Sequence, residues 1–145
     1  MRLARVFPLL LLAACHDPTD PAKERVVGVI DAVGGSPPAI VAPAEVPRNE
    51  RFVVTVYTRG SSGCTQPDGV SLARAESDLV RIVPYDIVPL PGHADVCLED
   101  YAPLPHPFPL TLSGPGPTRI RVVGRRDSRP QAVLDSAETT VTVVP

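Results

Sequence analysis

The chain has 145 residues, the size of one domain, and its 43% hydrophobic and 21% charged residues are typical of a globular protein. A formal net charge of -2 and an aromatic content of 4% without tryptophan argue against a basic, base-stacking surface, so we expect no nucleic-acid partner. The 19 prolines break helix interiors and central strands, and they predict short extended segments joined by many turns.

The N-terminal segment has the layout of a secretory signal. Arg2 and Arg5 precede an apolar run at residues 6–14. That run is too short to span a bilayer, which takes about 20 residues. The end of the run and the next residue read LAAC at 12–15, which resembles the lipobox of bacterial lipoproteins. The resemblance implies cleavage before Cys15, diacylglycerol on the Cys15 thiol and acylation of the new amino group.

Three regions are therefore expected: a cleaved signal (1–14), a lipidated N-terminus with a polar tether (15–24) and a folded domain (25–145). Cleavage lowers the 14 basic residues to 12 against 16 acidic ones, which gives a net charge of -4. A mildly acidic domain gains nothing from anionic lipid, so the acyl chains would have to supply the attachment to the membrane.

The residue after the lipidated cysteine bears on the choice of membrane. In lipoproteins of this kind, Asp at that position favours retention in the inner membrane, and this chain has His16 there. The resemblance thus implies the outer membrane in a cell that has two. The alternative is an ordinary signal cleaved after Ala14, with Cys15 incidental.

Beyond the tether, apolar segments of strand length alternate with turn residues. The clearest is RFVVTVYT at 51–58, where period two places Phe52, Val54, Val56 and Thr58 on one face. Residues 84–103 are rich in proline and are predicted to be mostly loop. Further strands are predicted at 25–33, 39–43, 69–75, 78–84, 118–124 and 137–144.

The segment LPHPFPLTL at 104–112 alternates apolar side chains with proline and threonine. Because proline cannot donate a hydrogen bond, this segment cannot donate a full ladder and is predicted to lie at an edge. His106 falls on its apolar face. We expect a partly buried histidine that is hydrogen-bonded to backbone, and a ligand role is the alternative.

Seven to nine short strands without a convincing helix predict an all-β fold, an antiparallel β-sandwich. The chain from TRGSSGC (58–64) through PLTLSGPGPTRIRVVGR (109–125) to TTVTVVP (139–145) resembles bacterial immunoglobulin-like domains. In those domains a Pro-Gly turn precedes a strand that ends in Gly-Arg. The resemblance implies a single immunoglobulin-like sandwich over 25–145, although the tryptophan of antibody domains is missing.

Cys64 and Cys97 remain once Cys15 carries lipid. Export to an oxidising compartment predicts a disulfide between them, and their turn-rich surroundings indicate a bridge between loops. A catalytic or redox cysteine is the alternative, but the chain contains no C-x-x-C pattern.

One loop gathers polar residues with metal-binding chemistry: His93, Asp95, Glu99 and Asp100. If His106 folded back onto them, two imidazoles and two carboxylates could bind zinc or another divalent ion. The H-x-D spacing matches no strong metal motif, so we expect a solvated loop and no cofactor. A metal-binding protein or metal-assisted enzyme using His93, Asp95 and His106 remains the alternative.

Other catalytic patterns are weak. GSSGC at 60–64 lacks the second glycine of a nucleophile elbow, and the adjacent Glu99 and Asp100 would point apart on a strand. Five arginines cluster near one end of the predicted fold and could meet an acidic partner, but a solvated strand face is expected. They are Arg119, Arg121, Arg125, Arg126 and Arg129.

We therefore expect a non-enzymatic binding or structural module, anchored by lipid in the cell envelope. It would act on an envelope partner through loops or exposed sheet edges. A second alternative is an inhibitor of an envelope enzyme, with the proline-rich loop 84–109 as the inhibitory segment.

Overall fold

The computed structural model describes residues 23–31, 36–76, 78–92, 97–98, 101–127, 129 and 134–145. Over these residues the chain is all-β, as predicted, and no helix among them could cross a membrane. The described residues form nine strands: β1 (Lys23–Val27), β2 (Ile40–Val41), β3 (Glu45–Pro47), β4 (Arg51–Arg59), β5 (Gln66–Ala75), β6 (Leu79–Pro89), β7 (Pro103–Thr111), β8 (Gly116–Arg125) and β9 (Leu134–Val144).

The strands form two sheets. The six-stranded sheet has the order β1-β6-β8-β9-β3, with β5 also paired to β6, and the three-stranded sheet has the order β2-β4-β7. The larger sheet curls into a half-barrel. Val29 links the two sheets at one end, because it bridges both Arg59 at the end of β4 and Arg125 at the end of β8.

Five strand pairings among the described residues are antiparallel, as predicted, but β6 with β8 and β3 with β9 are parallel and depart from the predicted antiparallel sandwich. The chain order explains the first. Because β7 belongs to the other sheet, the chain leaves the larger sheet after β6 and returns in β8 running in the original direction. The second arises where the short link at 42–44 carries the chain from the smaller sheet to the edge of the larger one.

The predicted loop at 84–103 is wrong at its start, because β6 continues to Pro89. Pro84 lies where β6 changes its partner from β8 to β1, and its carbonyl accepts a hydrogen bond from the Gly28 amide at 2.9 Å. Pro84 therefore does not need to donate a hydrogen bond to a neighbouring strand at that point. Pro89 is the last residue of the strand. Because β7 begins at Pro103, only residues 90–102 of the predicted segment 84–109 connect the two strands.

The alternating segment forms β7, at an edge of the smaller sheet as predicted. It pairs with β4 in a register that includes Val54 with Phe108 and Val56 with His106. A residue's N–H and C=O point to the same side of a strand, so the ladder with β4 is made by these residues. The intervening prolines (Pro105, Pro107 and Pro109) present carbonyls without N–H groups at the opposite edge.

The core lies between the sheets and is built from the inward positions of the strands, which period two identifies correctly. Fully burying one valine or isoleucine side chain stabilises a fold by about 1.5–3 kcal/mol. The residues that the sequence places inward and that are buried in the core cluster include Val54, Val56, Leu110, Ile120, Val122, Val141 and Val143.

Candidate functional site

Three polar side chains meet inside this apolar core: Thr58 of β4, Asp86 of β6 and His106 of β7. Their exposed fractions are 0%, 2% and 1%. Each occupies an inward position of its strand, so the alternation that builds the core also carries these groups into it. Buried polar groups are retained at acceptable cost only when they are hydrogen-bonded, so their partners decide what the cluster can do.

The three side chains converge on one atom, Nε2 of His106. It lies 2.9 Å from Oγ1 of Thr58 and 3.1 Å from Oδ1 of Asp86. The Thr58 hydroxyl donates to the same Asp86 oxygen at 3.0 Å. On the other side of the ring, Nδ1 lies 3.2 Å from the carbonyl oxygen of Gly69 in β5.

These contacts hold the His106 ring from both sides. The Gly69 carbonyl can only accept a hydrogen bond, so Nδ1 is the donor in that contact. Nε2 lies within hydrogen-bond distance of both the Thr58 hydroxyl and the Asp86 carboxyl. The ring of His106 in β7 is therefore tied to β4, β5 and β6.

The cluster has the residue types of a hydrolase triad but a different geometry. In a triad the acid and the nucleophile bond opposite nitrogens of the histidine. Here Thr58 and Asp86 share Nε2, and Nδ1 is bonded to backbone. The three side chains are closed to solvent, and their contacts join β4, β5, β6 and β7.

His106 was expected to be partly buried and bonded to backbone. The backbone bond is present, but the burial is nearly complete and the partner Asp86 was not foreseen. The sequence does indicate that Asp86 points inward. It lies on the same face of β6 as Val80, Ile82 and Pro84, so a carboxylate occupies a core position of that strand.

The metal hypothesis depends largely on residues outside the described ranges, namely His93, Asp95, Glu99 and Asp100. Among the residues that the structure does describe, no group of three or more His, Cys, Asp or Glu is placed to hold a metal ion. His106 has both ring nitrogens engaged within the core, so it is not a ready ligand in this conformation.

Cys64 and Cys97 form the predicted disulfide, with their Cα atoms 5.5 Å apart. The GSSGC segment is the turn that presents Cys64. Oγ1 of Thr65 accepts hydrogen bonds from the backbone amides of Ser61 at 3.1 Å and Ser62 at 3.3 Å. The bridge joins the loop after β4 to the connection between β6 and β7, as expected for a link between loops.

The five clustered arginines are engaged within the protein. The contacts are Arg119 to Asp78 at 3.1 Å, Arg121 to Glu138 at 2.8 Å, Arg126 to Asp135 at 3.3 Å, Arg129 to Asp127 at 2.6 Å, and Arg125 to the Val27 carbonyl at 2.6 Å. Their charge is largely balanced by neighbouring carboxylates, in agreement with a solvated strand face. The side-chain hydrogen bond from Arg129 lowers the pKa of Asp127 and raises that of Arg129.

An open cavity of about 470 Å³ lies at the disulfide end of the fold. Its lining includes Glu24 and Val26 of β1, Pro89 at the end of β6, Cys97 and Arg125. The start of β1 therefore lies near the disulfide, since both line this cavity. Cys15, the predicted lipidation site, lies outside the described residues.

Comparison of the chain with models of known protein families, with curated proteins and with solved structures finds no match.

Proposed function

We propose that this protein is a lipid-anchored module of the cell envelope that binds or braces a partner without catalysing a reaction. The observation that carries the proposal is the distribution of the three cysteines. Cys64 and Cys97 are bonded to each other, as suits an oxidising compartment. Cys15 is left alone at the end of the lipobox-like LAAC, the position that lipidation requires.

The buried polar cluster supports a non-catalytic role. A general base or nucleophile must reach a substrate proton or carbon at hydrogen-bond distance. His106 and Thr58 are closed to solvent and bonded to each other, so neither is available for this work. The function would then depend on surfaces and loops.

An immunoglobulin-like sandwich is the fold assignment that we propose for the domain. The order β2-β4-β7 follows the A-B-E order of such domains, and the order β6-β8-β9 follows C-F-G. The parallel pairing of β6 with β8 departs from that plan. The likeness favours a scaffold whose loops carry recognition.

The outer edge of β7 is a poor place for a partner strand. Strand addition needs alternating donors and acceptors along the edge, and Pro105, Pro107 and Pro109 offer no donor. A partner would accordingly be bound by loops, and the disulfide ties Cys97 to the loop after β4.

Replacing Cys15 with serine tests the proposal in the full chain expressed in a bacterium. The wild-type protein should fractionate with membranes and incorporate labelled palmitate, and Cys15→Ser should lose both properties. The double variant Cys64→Ser/Cys97→Ser is the matched control: it removes the disulfide but keeps Cys15, so it should keep the lipid. If Cys15→Ser stays in the membrane fraction at its normal size, the proposal is wrong.

A further inference from the structure

We propose that the disulfide end of the domain rests on the lipid surface to which the protein is anchored, through the exposed side chains of Leu98, Tyr101 and Leu134. The inference rests on the proposed function, because it takes the acyl chains on Cys15 as the primary attachment. It adds a second contact between the protein and the bilayer.

The exposure of these three side chains is the first observation. Leu98 is 74% exposed, and Tyr101 and Leu134 are each 60% exposed, the highest values among the exposed large hydrophobic residues in the described ranges. Val53 and Leu72 are less exposed, at 52%, and belong to strands within the sheets. The most exposed apolar side chains are thus found outside the strand interiors.

All three side chains belong to one end of the fold. The Leu98 carbonyl accepts a hydrogen bond from the Gly63 amide at 2.8 Å, next to Cys64. Tyr101 precedes Ala102, whose carbonyl is 3.5 Å from the Gly60 amide. Leu134 pairs with Arg125, and Val29 connects Arg125 to the end of β4.

The described chain begins at this same end. Lys23 pairs with Pro89, and Glu24 lines the cavity together with Ser61 and Cys97. Cys15 lies eight residues before Lys23. At about 3.6 Å per residue the intervening chain spans at most ~29 Å. An acyl anchor on Cys15 therefore keeps this end of the domain, and not the opposite end, close to the bilayer.

The chemistry of the three side chains suits a lipid interface. Tyrosine has an apolar ring and a polar hydroxyl, and it is enriched where membrane meets water, while leucine gains by leaving water. The three side chains come from separate segments, so a flat lipid surface fits them better than a shaped protein partner. Because the anchor already confines the domain, even a weak contact would be populated.

A single tryptophan placed at the contact tests the inference, since the chain has none of its own. Tyr101→Trp is the reporter, Leu98→Trp is an independent second reporter, and Val53→Trp in β4 is the matched control. Each lipidated full-length variant is reconstituted in phosphatidylcholine vesicles whose acyl chains carry bromine, a contact quencher of tryptophan fluorescence.

We expect strong quenching and a blue-shifted emission for both reporters. For the control we expect an emission that the brominated lipid leaves unchanged. Unquenched reporters on protein that floats with the vesicles would overturn the inference and favour a protein partner for this end. Equal quenching of reporter and control would also overturn it, because no particular end would then face the lipid. If the wild-type protein from bacterial membranes does not float at all, the proposed function itself has failed.

Discussion

Nε2 of His106 lies 3.1 Å from Oδ1 of Asp86, and both side chains are closed to solvent inside the core. Removing the Asp86 carboxyl takes a hydrogen-bond partner from both His106 and Thr58, and the loss of a partner by a buried polar group costs about 1–3 kcal/mol. We expect Asp86→Ala to lower the free energy of unfolding by an amount of that order, as measured by urea titration with the disulfide intact.

An exposed ion pair provides the control for this prediction. Asp78 contacts Arg119 at 3.1 Å, and its side chain is 59% exposed. Exposed pairs contribute about 0–1 kcal/mol, so Asp78→Ala should be nearly neutral. Equal effects of the two substitutions would show that the buried pair does not stabilise the fold in the way described.

Gly28 and Thr58 are expected to be energetically coupled. A Cβ atom on Gly28 would lie 2.4 Å from Cγ2 of Thr58 and 2.9 Å from Oδ2 of Asp86. Overpacking of this kind costs about 1–3 kcal/mol, so Gly28→Ala should destabilise the protein. Thr58→Ser removes the methyl group and keeps the hydroxyl, so the cost of Gly28→Ala should be smaller in that background.

A double-mutant cycle measures this coupling, with the four proteins compared by thermal or urea unfolding. Coupling between residues in contact is about 0.5–3 kcal/mol. If the effects of Gly28→Ala and Thr58→Ser are strictly additive, Thr58 does not limit the space for the added methyl group, and a movement of β1 accommodates it.

The Cys64–Cys97 bridge should stabilise the domain chiefly by restricting the unfolded chain. The two cysteines are 33 residues apart. The chain-entropy model gives about 3.5–4 kcal/mol for a loop of that length. The double variant Cys64→Ser/Cys97→Ser should lose stability of this order in urea, compared with the oxidised wild type. A loss no larger than that of an exposed substitution would contradict the entropic account.

The carboxyl of Asp127 should titrate below its ordinary range, because the hydrogen bonds from Arg129 lower its pKa from 3.8. Since the pKa is depressed in the folded protein, the contact is fully formed above the ordinary carboxyl pKa. It is lost as the pH falls through the depressed value. Carbon-detected NMR titration of Asp127 measures this directly.

Arg129→Gln should return the Asp127 pKa towards its ordinary value, and Arg126→Gln should leave it depressed. Because the Arg129 side chain is 83% exposed and ion pairs at the surface contribute little, we expect no accompanying change in the urea midpoint. An Asp127 titration that is unaffected by Arg129→Gln would contradict the assigned cause.

The strands themselves could be predicted from the sequence, because burial on one face imposes period two on each of them separately. Phe52, Val54 and Val56 in β4, and Ile120 and Val122 in β8, needed no knowledge of their neighbours. The edge position of β7 could also be predicted, since its prolines allow a hydrogen-bond ladder on one side only.

Pairing partners could not be predicted in the same way. The parallel contact of β6 with β8 depends on which sheet β7 joins, and that choice is made by contacts between distant parts of the chain. The contact between Asp86 and His106 could not be predicted for the same reason. It requires β6 and β7, which belong to different sheets, to face each other. Local patterns show that Asp86 points inward but not what it meets.

The intact mass of the protein purified from bacterial membranes tests the central claim, that the chain is anchored by lipid on Cys15. We expect a chain that begins at Cys15, heavier than its amino-acid sequence by the mass of a diacylglycerol group and an amide-linked acyl chain. Fragmentation should place all of that mass on Cys15. A mature chain that begins at Cys15 without added mass, or one that retains residues 1–14, would contradict the claim.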